Sequence, residues 1–330
     1  MADSHGWSQH AGRFLQGNPL TMSPGYSAPL YLLPFDHRNS YVSGMFHLTP
    51  PLTADQYRAV VDSKQVIYEG FQHALGRDVP GSYAGIMVDE EFAADIVRDA
   101  VMKGFVTALS TEKSGSREFD FEHGDAFATH IEAFRPTFAK VLVRYNPEDD
   151  KALNERQTTR LKRLSDYCRT VGQLFMFELL VPATEAQNKS VGANELVYDL
   201  RMRPDLTIEA IAAMQDAGVD PDVWKVEGLD RREDCERVVA VARRGGRDAV
   251  GCIVLGRGAD ADKVVHWLTT AASVPGFIGF AVGRTTFWDA VKDYVEATVT
   301  RAEAVSRIAD RFRKWAAVFQ SSQPARATRL

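Results

Sequence analysis

The sequence predicts an α/β fold, a closed (β/α)8 TIM barrel with extra C-terminal helices, and three observations predict it. Eight short apolar runs rich in β-formers recur along the 330 residues. Segments with helical, 3.6-residue periodicity separate them, such as "DEEFAADIVRDAVMKG" and "NERQTTRLKRLSDYCRTVG". The runs are nearly continuous in apolar residues, the pattern of parallel strands covered on both faces. Eight such units over about 250 residues fit a closed barrel better than an open, doubly wound sheet.

The runs are "LYLLPFDH" (30–37), "YAGIMVDE" (83–90), "GFVTALST" (104–111) and "AKVLVRYN" (139–146), then "QLFMFELLVP" (173–182), "DVWKVEGL" (222–229), "AVGCIVLG" (249–256) and "GFIGFAVG" (276–283). The first connection, 38–82, has room for an extra turn or short helix before "DSKQVIYEGFQHAL". The polar stretch 110–127 after the third run reads as a flap. Beyond residue 287, "WDAVKDYVEATVTRAEAVSRIADRFRKWAAVF" reads as one or two amphipathic helices closing the barrel, and offers a surface for a homo-oligomer. One domain over 28–318 is expected, with an N-terminal tail at 1–27 and a disordered tail at 319–330.

Bulk properties narrow the function. A net charge of −5 and a pI near 5.9 argue against a nucleic-acid partner. No stretch approaches 18 apolar residues, so no membrane span is expected. Cys168, Cys235 and Cys252 are scattered, without CxxC spacing, so a reducing cytoplasm is the natural compartment. The N-terminus lacks a signal-peptide layout.

In such barrels chemistry gathers at the C-terminal ends of the strands. Those ends carry Asp36, His37, Arg38, Asp89, Arg144, Asn146, Gly283 and Arg284. Within the runs, Lys140, Glu178 and Lys225 sit on consecutive strands four, five and six. Strand alternation puts Lys140 with Leu142 and Arg144, Glu178 with Met176 and Leu180, and Lys225 with Val223 and Glu227. Lys225 alone could lay its stem on apolar surface or pair with Glu227. Three polar residues on neighbouring strands favour a shared inward pocket instead. Lys140 with Glu178 also reads as a structural ion pair.

Two amines and a carboxylate suit imine catalysis. A lysine attacks a ketone only when unprotonated, and its free pKa near 10.4 opposes that at neutral pH. Burial and a second cation disfavour the charged form, so Lys140 could tune Lys225 as nucleophile, with Glu178 as the proton-transfer group. At the end of strand eight, Gly283 and Arg284 begin a helix, a position suited to phosphate, and "LGRGAD" (255–260) can supply the other wall. A metal mechanism and a cofactor are not expected: no HxH or HExxH spacing occurs, and His37 reads as a structural residue. No GxSxG elbow is present.

The stretches "LYLLPFDHR", "EKSGSREFDFEHG", "AKVLVRYNPEDD", "FMFELLVPAT" and "DVWKVEGL" resemble the aldolase-like domain at the C-terminus of bacterial 5-dehydro-2-deoxygluconokinases, here standing alone. More distantly, the chain is similar to class I tagatose-1,6-bisphosphate aldolases. The resemblance covers roughly 28–300 and leaves no room for the kinase portion. It implies a metal-independent class I aldolase of inositol catabolism that cleaves 6-phospho-5-dehydro-2-deoxygluconate to dihydroxyacetone phosphate and malonate semialdehyde. The alternatives are an aldolase of tagatose or fructose bisphosphate or another ketose 1-phosphate, or a non-catalytic phosphosugar-binding domain. In the aldolase pattern Lys225 forms the imine, Glu178 moves the proton, and Lys140 and Asp36 stand beside them. Gly283 and Arg284 meet the substrate phosphate. Asp89, from its strand-end position alone, is expected to bind substrate as well. Where tagatose enzymes tend to have an uncharged residue after the strand-four lysine, this chain has Arg144. Arg144, with Arg201 from the loop after strand five, is therefore expected to read a substrate carboxylate. The alternative is Arg144 paired with Glu148, Asp149 or Asp150.

Overall fold

The computed structural model describes residues 23–76 and 78–324. Eight parallel strands close on themselves in sequence order, β1 pairing with both β2 and β8. They are β1 Leu30–Pro34, β2 Ala84–Val88, β3 Val106–Ser110, β4 Phe138–Arg144, β5 Leu174–Leu180, β6 Val223–Glu227, β7 Gly251–Leu255 and β8 Phe277–Ala281. The expected (β/α)8 TIM barrel is the observed fold, and each apolar run coincides with one strand, β4 beginning one residue before its run.

The helices are α1 Asn39–Phe46, α2 Ala54–Ala74, α3 Glu90–Met102, α4 Phe127–Phe134, α5 Lys151–Val171 and α6 Glu185–Ser190. They continue as α7 Glu195–Arg201, α8 Arg203–Asp216, α9 Arg232–Ala242, α10 Ala261–Ala272, α11 Arg284–Val295 and α12 Arg301–Ser321. Local chemistry sets many of their ends. Thr53 and Gln56 form a capping box at α2, and the Asp150, Asp260 and Thr300 side chains cap α5, α10 and α12. Gly172 ends α5 in the left-handed region (φ 71°), where a side chain would be strained.

Two apolar layers result. Leu32, Met87, Ala108, Phe138, Met176, Val223, Ile253 and Ala281 fill the lumen, while the larger layer lies between strands and helices. The residues assigned to tails are partly structural. At the N-terminal end of the barrel, the Gly25 N–H donates to Asp222 (2.7 Å) and the Tyr26 ring meets Phe138 edge-on. At the other terminus α12 continues through Ser321, and Phe319 is fully buried, so the expected disordered stretch 319–330 begins as packed helix. Residues 1–22 and 325–330 lie outside the described residues. Among the described residues no helix is long and apolar enough to cross a membrane.

Candidate active site

Strand alternation carries Lys140, Glu178 and Lys225 into the lumen, above the apolar layer. Lys225 is 1% exposed, and its amine lies 2.8 Å from Glu178 Oε1 and 3.4 Å from Met87 Sδ. Neither bland reading of Lys225 holds: its head is buried, and Glu227 is engaged elsewhere. Glu227 accepts from the Val181 N–H and from Arg257.

Glu178 bridges two amines, its Oε2 standing 3.0 Å from Lys140 Nζ. Lys140 is surrounded. It donates to Asp36 Oδ2 (2.7 Å) and Glu112 Oε1 (2.9 Å), and Ser110 Oγ also donates to Asp36 (2.9 Å). Burial opposes the charge on Lys140, but Asp36, Glu112 and Glu178 outweigh it and hold its proton well above the usual lysine range. Burial likewise opposes ionisation of Asp36 and Glu178. Lys140 first, then other cations including Lys225, overcomes it and keeps both carboxyls below their usual range. Lys140 is thus a fixed cation, whereas Lys225 has a single, shared carboxylate and a thioether.

The sequence reading missed two members of this site. Glu112 continues the inward parity of β3 past its last paired residue, but lay hidden in a stretch read as flap. That stretch is folded back: Glu112 bridges Phe121 antiparallel, and the buried Arg38 holds it through the Glu112 carbonyl (2.5 Å) and Glu122 Oε2 (2.6 Å). The second is His37, read as a hydrogen-bonded structural residue. Its Nδ1 is buried without a hydrogen-bond partner. Burial drives its pKa down to about 4 against the pull of Asp36, with Arg284 and Lys225 pushing the same way as burial.

The outer residues divide. Gly283 caps α11 with its Cα against the Pro34 carbonyl, where no side chain fits. The Arg284 guanidinium packs against Gly258, where a side chain would clash with it, and donates to the Arg257 carbonyl (2.7 Å), so the loops after β7 and β8 do meet. Arg144 is exposed and donates to the Ser116 carbonyl (3.2 Å), whereas Asp149 pairs with Arg117. Two expected substrate contacts are corrected. Asp89 is fully buried: one oxygen caps α3 at the Phe92 N–H (2.8 Å), and the other pairs with buried Lys64. Parity points it inward, but β2 ends at Val88 and the chain has already turned into α3. Arg201 stands exposed on the last turn of α7, while Arg203 turns inward to Asp199 and Glu227. Asn146 is structural, donating to Gln187 and the Pro182 carbonyl.

Among the described residues, one group outside the lysine cluster presents metal-ligand atoms together: Glu90, His123 and His130. Nothing in the sequence joins Glu90 to the two histidines.

The geometry can be set beside known proteins. A family model described as "Uncharacterized protein conserved in bacteria (DUF2090)" matches residues 20–323. No curated protein matches the chain. Among solved structures, Cgl0159 from Corynebacterium glutamicum is similar at 17% identity and TM-score 0.53, over 90% of this chain and 91% of that one. A fructose-bisphosphate aldolase from Slackia heliotrinireducens is similar at 12% identity and TM-score 0.51, over 89% and 88%. At these identities both show a shared fold. The family match spans nearly the whole barrel, and the chain belongs to the DUF2090 family.

Proposed function

We propose that this protein is a metal-independent class I aldolase acting on a phosphorylated ketose, with Lys225 as the imine-forming residue. The observation that carries the reading is the pairing of two buried amines through one carboxylate, Lys225–Glu178–Lys140. Lys140 has three carboxylates and keeps its proton. Lys225 has one, which it shares, so it is the amine that can be freed for attack. Its addition to a substrate ketone, with loss of water, gives an iminium. Glu178 then takes the proton of the hydroxyl two carbons away. The carbon–carbon bond breaks, its electrons pass to the iminium, and an aldehyde leaves. Protonation of the enamine and hydrolysis release the second product and return the free amine. Arg284 and the Gly283 amide would meet the phosphate, and Asp36 the ketose hydroxyls.

The substrate we favour is 6-phospho-5-dehydro-2-deoxygluconate, cleaved to dihydroxyacetone phosphate and malonate semialdehyde. Its support is the resemblance of the strand motifs, together with Arg144, a guanidinium exposed at the strand end above Lys140 and suited to a carboxylate. A second reading keeps the chemistry and takes fructose or tagatose bisphosphate. The neighbour named as a fructose-bisphosphate aldolase favours it.

The test is borohydride trapping with dihydroxyacetone phosphate, read by intact mass and peptide mapping. A reduced adduct is expected on Lys225, absent from Lys225→Arg, with turnover in that variant down by about a thousandfold or more. No adduct, while the phosphate ligand demonstrably binds, would overturn the reading in favour of a phosphosugar-binding or isomerase barrel. Unchanged turnover of the carboxylated substrate in Arg144→Met would remove the role given to that arginine.

A further inference from the structure

Glu90 opens α3, His123 lies just before the 3-10 turn Gly124–Ala126, and His130 stands on α4. Their side chains converge on one point. Glu90 Oε2 is 2.8 Å from His130 Nδ1 and 3.1 Å from His123 Nε2, and the two rings stack 3.5 Å apart, 3° from parallel. The three ligand atoms all lie within 4.8 Å of one another. Zinc bonds of 2.0–2.2 Å in a tetrahedron place neighbouring ligand atoms about 3.3 Å apart. Glu90 is already within that reach of both rings, and seating an ion requires the two stacked rings to swing apart until both in-plane lone pairs meet it.

We propose that Glu90, His123 and His130 bind one divalent transition-metal ion of the zinc class, at a site separate from the lysine cluster. The donor set suits it: two imidazoles and one carboxylate favour zinc-like ions over calcium or magnesium, which prefer all-oxygen shells. Without metal, His130 Nδ1 is hydrogen-bonded to the Glu90 carboxylate and His123 Nε2 stands 3.1 Å from it. With metal, each neutral ring moves its single proton to its other nitrogen and offers a lone pair. A small cavity lined by Ser110, Thr111 and Phe127 adjoins the three residues, leaving a side open for a fourth ligand such as water. The site can also be reached, since the three side chains are 25–34% exposed.

Its place in the fold indicates a clamp. His123 follows Glu122, which holds Arg38, and the same loop carries Glu112, which holds Lys140. An ion shared by α3, this loop and α4 would fasten the loop whose other end forms the wall of the lumen. The proposal does not depend on the aldolase reading, and its test uses no turnover.

Full-length protein, stripped with chelator and dialysed, is titrated calorimetrically with zinc chloride, and bound metal is counted by plasma mass spectrometry. One equivalent is expected. Affinity should weaken at least tenfold in each of Glu90→Gln, His123→Asn and His130→Asn, checked for native fold by circular dichroism. The double variant His5→Asn/His10→Asn should bind as the parent does, and magnesium chloride should give no heat. Zinc at a hundredfold excess over Kd should raise Tm by about 5 °C. Failure of the parent to bind one equivalent overturns the site, as does undiminished binding in folded His123→Asn and His130→Asn. Should one of those variants not fold, the other and Glu90→Gln decide.

Discussion

Two lysines on either side of β5 have different surroundings. Lys140 meets three carboxylates and is locked as a cation, while Lys225 meets one carboxylate and a methionine sulfur. His37 gives this cluster a measurable signature in stability. The native imidazole accepts a proton only near pH 4, against 6.5 for a free histidine, so between those values the unfolded chain binds more protons. Stability is therefore expected to fall as pH drops from 6.5 towards 4. His37→Asn should remove that part of the slope in urea unfolding followed across this range. An unaltered slope would mean that other groups set the acid response.

The elements divide by how local their causes are. Strands and capped helices follow from alternation and from residues such as Thr53, Asp150 and Thr300, so their positions could be read directly. The stretch at 110–127 could not. Its polar residues look solvated, yet Phe119 and Phe121 are buried and Glu112 reaches the lumen. Three helices lie between β5 and β6, and the first two, α6 and α7, are too short to show a clear period. The end of α12 is a further case. Phe319 packs on Tyr31 and Phe280, far away in sequence, so the polar residues after it gave a false sense of fraying. Phe319→Ala should cost about 3–4 kcal/mol in urea unfolding, the scale of emptying an aromatic core site. A loss under about 1 kcal/mol would mean that the last turn is dispensable.

At the scale of the molecule, the barrel is closed at its N-terminal end by a segment that reads as tail. Asp222 accepts from the Gly25 N–H through one oxygen and from the Phe175 N–H (2.8 Å) through the other. One carboxylate thus ties the entering chain to β5 while its own backbone leads into β6. Asp222→Ala would leave both N–H groups without their acceptor, at a cost of about 2–4 kcal/mol. Asn at this position keeps one acceptor and should recover part of it. Equal stabilities for the Ala variant and the parent in urea would refute this role. The Lys140–Glu178–Lys225 cluster lies at the opposite end of the barrel, so on the proposed function borohydride trapping should survive in either variant that folds.

By itself the sequence determined the strands, their order and the shared inward face of Lys140, Glu178 and Lys225, because alternation along a strand is a local property. The folded chain alone decided which polar groups meet. Asp89 was diverted to Lys64 by the turn into α3, Glu112 was added to Lys140 by a loop folding back, and Glu90 was brought to His123 and His130 by the packing of α3 against α4. Those contacts join residues whose separation in sequence carries no period, so they exist only once the barrel has closed.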